Sequence, residues 1–156
     1  MEIEMKISDL IEKNLVTVNL KSRTSESAIS EIVDQLYRSR KIKDKKQILE
    51  SLLKRERLGS TGVGGGVAIP HARIAELKEA VLFVGLSKRG INFSSVDDKP
   101  VQLVVLFLTP LLESELHLKI LSKVATVLNN KVFAGQLMQC SSNEELYHLL
   151  TKGGIE

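Results

Sequence analysis

One stretch constrains this chain more than any other: residues 101–110, VQLVVLFLTP, are apolar except for Gln102 and Thr109. A strand with one face in water alternates apolar and polar residues. The near-continuous run over 101–108 therefore reads as a central strand buried on both faces. It is too short to cross a bilayer as a helix, which takes about 20 residues. A strand of this kind needs a cover on each side, and helical patterns flank it. Residues 25–40 put Ile29, Ile32, Val33 and Leu36 on one stripe. Asp44 with Gln47 resembles a capping box for a second helix to about Arg57, with Ile48, Leu49, Leu52 and Leu53 facing inward. Helical spacing returns over 114–128 with Leu118, Leu121, Val124, Ala125 and Leu128, and Ser141 with Glu144 forms a capping box for a last helix through Leu150. Weaker signals are a short helix from Ser8-Asp9 to Lys13, an alternating strand over 15–20 and an apolar run over 81–86. The expectation is an α/β (α+β) fold: one domain over residues 1–156, with a mixed central sheet flanked by helices on both faces. A chain of 156 residues is long enough to close such a core, burying roughly 70% of its extended surface.

Composition narrows the function classes. With 22 Lys and Arg against 19 Asp and Glu the net charge is +3, mildly basic and far from a dedicated nucleic-acid binder. The single cysteine, Cys140, makes no internal disulfide, has no nearby His or acid to activate it, and reads as a half-buried filler. Three histidines argue against a multi-metal centre. Residues 1–6, MEIEMK, lack the apolar core of a signal peptide, so the chain is expected to be cytoplasmic with no membrane span. The charge is unevenly spread. Residues 38–57 hold nine basic and three acidic side chains, a local +6 that reads as a solvated rim or as a surface steering an acidic partner. Tyr37 is the sole aromatic residue beside it, which argues against single-stranded nucleic acid.

Between Gly59 and Arg73 the texture changes. The stretch GSTGVGGGVAIPHAR holds five of the ten glycines. No glycine here is followed by Lys-Ser/Thr, and the sixth position from Gly62 is Val67, so both nucleotide-loop fingerprints fail on spacing. The remaining readings are a loop of positive-φ turns or a bare backbone that lets a ligand approach. Ala68-Ile69-Pro70-His71 is more pointed. A short strand stops at a proline, and the next imidazole is presented at a sheet edge on stiff backbone. Such a histidine can be base, nucleophile or metal ligand. A lone histidine in arbitrary sequence is more often a surface or capping residue.

The run Ser60-Thr61-Gly62-x-Gly64-x-Gly66-Val67-Ala68-Ile69-Pro70-His71 closely resembles the phosphorylation-site signature of the fructose/mannitol-type (type-2) enzyme IIA domains of the bacterial phosphotransferase system. Arg55-Glu56 upstream, His117-Leu118-x-x-Leu121 and Glu144-Glu145-Leu146-Tyr147 extend the likeness over nearly the whole chain. Ala72 departs from the glycine that many members have, and Gly65 from their polar residue.

The resemblance implies the mannitol-IIA-like fold and a phosphotransferase role without small-molecule turnover. His71 would be the phospho-accepting residue at its tele nitrogen, His117 would orient the ring or donate to the phosphoryl group, and Arg55 would be the charge clamp. Arg57 is the competitor of Arg55. The nearest likeness is to free-standing nitrogen-regulatory IIA proteins, whose phosphorylation state selects protein partners. A IIA subunit of a split sugar transporter, handing the group to a IIB component, is the runner-up. A binding module that has lost transfer is a third reading, which retention of His71 and His117 opposes. The donor implied is an HPr- or NPr-type phosphocarrier; no cofactor and no metal are implied, and a homo-oligomer is left open.

The chemistry of the residues fits. Histidine phosphotransfer needs an unprotonated ring nitrogen in line with phosphorus and fixed positive or N–H groups around its oxygens. Glycine N–H groups before His71 are candidates for the latter. With Ser114 as N-cap, His117 would be the third helical residue, where the helix dipole disfavours imidazolium. His148, beside Tyr147, is expected to be structural or exposed. A metal site or hydrolase on His71 and His117 finds no His-Glu-x-x-His, cysteine pair or serine elbow to support it.

Overall fold

The central strand is where the apolar run places it. In the computed structural model, which describes residues 5–152, strand β6 (Val101–Pro110) lies between β5 (Val81–Ile91), antiparallel to it, and two short strands that both run parallel to it. These are β3 (Val67–Ala68), paired with Leu103 and Val104, and β4 (His71–Ile74), paired with Phe107 to Pro110. The outer strands are β1 (Val16–Thr17), parallel to β5, and β2 (Gly62–Gly64), antiparallel to β3. The sheet is therefore mixed, as expected.

Alternation along β6 divides the core in two. Val104, Leu106 and Leu108 join the cluster under α1 (Ser25–Arg38) and α2 (Lys45–Leu58), with Ile29, Ile32, Leu36 and Leu52. Leu103, Val105 and Phe107 join the opposite cluster, with Ile120 and Val124 of α3 (Ser114–Asn129), Leu137 of α4 (Lys131–Met138) and Leu146 of α5 (Asn143–Lys152). Every residue from Leu103 to Leu108 is at most 4% exposed. A strand with helices on each face has no room for the polar alternation of a half-exposed one.

Local chemistry sets the element ends. Asp44 caps α2, its Oδ1 accepting from the Gln47 N–H at 3.0 Å. Thr24 and Ser27 exchange cap bonds at the start of α1. Several expectations need correction, among them the stripe of α3, where Leu118 and Ala125 are exposed and the buried positions are Ile120, Val124 and Leu128. The helix of residues 8–13 is two short 3-10 turns, Ile7–Leu10 and Lys13–Leu15, and the strand over 15–20 pairs in register only at Val16–Thr17, with one further bond from the Leu20 N–H to the Leu86 carbonyl. The last helix starts one residue late, because Ser142 rather than Ser141 receives the Glu145 N–H (3.1 Å). Helix α4 was not foreseen: it is short, contains Gly135, and rests on Asn130, whose Oδ1 accepts from the Phe133 N–H. Strand β5 continues past Leu86 through a shift in register to Ile91. Residues 1–4 of the segment compared with a signal peptide lie outside the described residues.

The glycines close a hairpin. Gly64, Gly65 and Gly66 have φ of 92°, 66° and 80°, which carries the chain from β2 into β3. Gly85 serves packing instead: a Cβ built there would lie 2.6 Å from Leu20 Cδ1. Gly85→Ala is expected to lower the free energy of unfolding by about 1–3 kcal/mol in urea melts. In a double-mutant cycle with Leu20→Ala, the double mutant should lose less than the sum of the two single losses, because the truncated leucine relieves the clash.

Candidate functional site

The site forms where β3 breaks and β4 begins. Proline cannot donate to a ladder, so pairing with β6 is interrupted at Ile69-Pro70; it resumes when the Phe107 N–H donates to the Pro70 carbonyl at 3.1 Å. His71 is the first residue of β4, directly beside Phe107. Ala72 and Ile74 point into the core, so the period of two turns His71 and Arg73 to the opposite face. The His71 ring stacks on Phe107, with centroids 5.3 Å apart and planes 12° apart. Its Nδ1 lies 2.7 Å from the Ile69 carbonyl. A carbonyl only accepts, so Nδ1 carries the hydrogen and the neutral ring bears its lone pair on Nε2.

Helix α3 brings the second histidine. Its N-cap is Glu113, not Ser114, and the His117 N–H donates to the Glu113 carbonyl. His117 is therefore the fourth helical residue, one place deeper than expected. Its ring centroid is 5.2 Å from His71 and 5.1 Å from Phe107, so three rings meet. Its Nδ1 is bonded to Thr109 Oγ1 at 2.6 Å, leaving Nε2 as the free nitrogen. Thr109 is fully buried at the end of β6. It is one of the two interruptions in the apolar run and reads there only as a break; its pairing with His117 is the signal that run conceals.

Around the two rings is an open cleft of about 530 Å³, lined by Ser51, Lys54, Arg55, Leu58, Ala72, Arg73, Leu111, Ser114 and Leu118 as well as the histidines. Three cations border it, and among the described residues no carboxylate does. Arg55 is half-buried, with Nη1 donating to the Gly59 carbonyl at 2.9 Å, whereas Arg57 is exposed and outside the cleft. Next to Arg55, Glu56 turns the other way and takes both the Thr61 N–H (2.9 Å) and hydroxyl (2.6 Å), tying α2 to the strand that leads to His71. Lys54 and Arg73 were not anticipated. Arg73 was legible in principle, since a residue two places beyond His71 on a strand shares its face.

Other candidates fall away from this place. The glycine turn is level with the start of β6 and His71 with Phe107, roughly 15 Å along the strand. Gly65 donates its N–H to Asp97 and Gly62 to Ser60, so the glycines are hairpin geometry and not a cradle at the histidine. His148 is exposed, and Cys140 is buried with its thiol pushed up in pKa chiefly by burial. In the basic segment, Lys41 pairs with Glu12 and Lys45 with Asp34, which makes that part a solvated rim; Lys54 and Arg55 alone of its cations reach the cleft. Among the described residues no group of three or more His, Cys, Asp or Glu side chains could hold a metal, and no helix is long and apolar enough to cross a membrane.

Residues 9–153 match the family described as "Phosphoenolpyruvate-dependent sugar phosphotransferase system, EIIA 2". The chain belongs to this family. Its role is that of a phosphocarrier or regulatory component of a phosphotransferase system. It is 32% identical to the nitrogen regulatory protein of Klebsiella oxytoca, over 96% of this chain and 93% of that one. It is also 32% identical to the fructose-specific EIIABC component of Bacillus subtilis, of which it spans only 23%. The crystal structure of the nitrogen regulatory protein IIA-Ntr from Neisseria meningitidis superposes with a TM-score of 0.85 at 32% identity, covering 93% of this chain and 99% of that one. The type-2 IIA fold expected from the resemblance is thus the observed fold.

Both imidazoles resist protonation. Burial lowers the pKa of His71 from 6.5, opposed by the bond to Ile69 and reinforced by Arg55. Burial, then the neighbouring His71, then Arg73 lower His117 to about 4. Because the folded chain binds fewer protons than the unfolded one, stability should be flat above pH 6.5 and fall as pH drops from there towards 4. A long-range ¹H–¹⁵N NMR titration should place the His117 midpoint near 4; a midpoint at or above 6.5 would contradict this electrostatic picture.

Proposed function

We propose that His71 accepts a phosphoryl group on Nε2 from the phosphohistidine of an HPr- or NPr-type carrier. The observation that carries this is the bond from His71 Nδ1 to the Ile69 carbonyl. It leaves Nε2 with the lone pair, in a cleft bordered by cations. The lowered pKa of His71 keeps that lone pair available near neutral pH. The exchange balances without solvent. The Nε2 lone pair forms the new P–N bond as the donor's P–N bond breaks and its electron pair returns to the donor ring. The donor, protonated on its other nitrogen, leaves as neutral imidazole; His71 becomes the protonated phospho-ring, its Nδ1–H still held by Ile69.

His117, held through Nδ1 by Thr109, is the second nitrogen beside the transferring group and assists once the oxygens arrive. Arg55, fixed on Gly59, supplies positive charge. Exposed Leu58 and Leu118, 81% and 64% accessible, flank the cleft and suit a protein donor rather than a small molecule.

The role we favour is regulatory and cytoplasmic, with phosphorylation of His71 selecting among protein targets in nitrogen or potassium handling. The near-complete coverage of the nitrogen regulatory protein supports it. Equal identity to the fructose component supports a second reading, a IIA subunit that passes the group to IIB.

Intact mass after incubation with the phosphorylated carrier and its kinase should show one acid-labile phosphoryl group. The label should vanish in His71→Ala, while in His117→Ala it persists but passes on more slowly. An unlabelled wild type with any cognate donor sinks the proposal. Onward transfer to an isolated IIB domain selects the transporter reading.

A further inference from the structure

Two cations of the cleft, Lys54 and Arg73, have no structural task, and of the two Arg73 alone shares a strand face with His71. Arg55 is held by the Gly59 carbonyl; Arg73 and Lys54 are exposed and, among the described residues, neither side chain makes a hydrogen bond or an ion pair. An arginine at an edge strand ordinarily finds a carboxylate. Here no described carboxylate lines the cleft, so the guanidinium is left uncompensated beside two imidazoles.

Its position is fixed by the fold rather than by the side chain. Arg73 follows His71 by two residues on β4, so the two Cα atoms stand roughly 6.6 Å apart on one face. In register it lies beside Thr109, the residue that holds His117. Arg73 is thus on the line from the reactive ring to the anchor of the assisting ring. A group attached to His71 Nε2 would have Arg55 available from α2 and Arg73 from β4.

We propose that Arg73 is a further catalytic residue: its guanidinium binds the equatorial oxygens of the phosphoryl group during transfer to and from His71. This rests on the phosphocarrier reading above. Arg55 is the fixed member of the pair and Arg73 the free one, which closes on the dianion when it arrives. A planar guanidinium matches two phosphoryl oxygens at once, a geometry that a lysine ammonium supplies only as a point charge. Since charge on those oxygens is shared with the donor in the transition state, the benefit falls on the rate of transfer more than on carrier docking.

The test compares wild type, Arg73→Gln and Arg73→Lys with two donors: the phosphorylated HPr-type carrier, and phosphoramidate, which offers a phosphoryl group without a protein surface. Arg73→Gln should slow labelling of His71 by about 10- to 100-fold with both donors, at the low end of the effect of removing an oxyanion-binding donor because the cleft is open. The KM for the carrier should stay within about two-fold and Arg73→Lys should recover part of the rate. If Arg73→Gln raises the carrier KM and leaves the phosphoramidate rate unchanged, Arg73 only docks the partner and the proposal is overturned. Equal rates in wild type and Arg73→Gln overturn it as well, as does a loss of rate that tracks a lowered melting temperature. If the wild type is not labelled by the carrier, the phosphocarrier reading itself has failed; a labelled wild type with an indifferent Arg73 removes this inference alone.

Discussion

Everything in the site depends on two interrupted strands sharing one partner. β3 and β4 pair with the same edge of β6, and Pro70 between them removes a ladder donor without letting the chain leave the sheet. Had the strand been continuous, the Ile69 carbonyl would belong to the regular backbone pattern of the sheet. At the break it takes the Nδ1 hydrogen of His71 instead. One residue that cannot donate thereby decides which ring nitrogen keeps its lone pair, and β6 supplies the aromatic floor, Phe107, against which the ring lies flat.

The other parts are arranged around this break by the same strand. Thr109, next to last in β6, holds the second imidazole, and Pro110 ends the strand before the turn from which α3 begins. On the far side, the two hydrogen bonds that Thr61 donates to the Glu56 carboxylate lock α2 against the entry to β2, so neighbouring Arg55 meets the cleft at a set height. The acid and the base of Arg55-Glu56 do opposite jobs. Glu56 builds the scaffold and Arg55 faces outward from it.

Much of this was legible before any coordinates. Residues 101–108 announced a doubly covered strand because burial on both faces abolishes alternation, and the stripes of α1 and α2 follow from period 3.6 alone, whereas the α3 stripe was misphased, since Leu118 and Ala125 are exposed and Ile120 is buried. His71 stood out through the Pro that precedes it. What stayed hidden needed tertiary information. The five glycines invited a phosphate-binding role, yet whether a bare N–H faces a ligand or a neighbouring Asp97 depends on where the hairpin docks. Thr109 looked like a flaw in an apolar run, since its partner lies eight residues on across a turn. β4 pairs across some 35 positions of sequence, which no local pattern reports.

The stiffness of the cleft has a further consequence. His71 sits on a strand, His117 on a long helix and Arg55 on another, with both rings packed on a buried phenylalanine. On the phosphocarrier reading no backbone segment has to fold before a phosphoryl group reaches Nε2, so little ordering entropy beyond that of the Arg73 side chain stands against its arrival. The change it makes is one of charge and not of backbone shape. On the phosphocarrier reading it adds one net negative charge, a dianion on a cationic ring, among three positive charges flanked by exposed leucines. A partner that tells the two forms apart must therefore sense potential at a fixed surface, and its discrimination should weaken as added salt screens that potential.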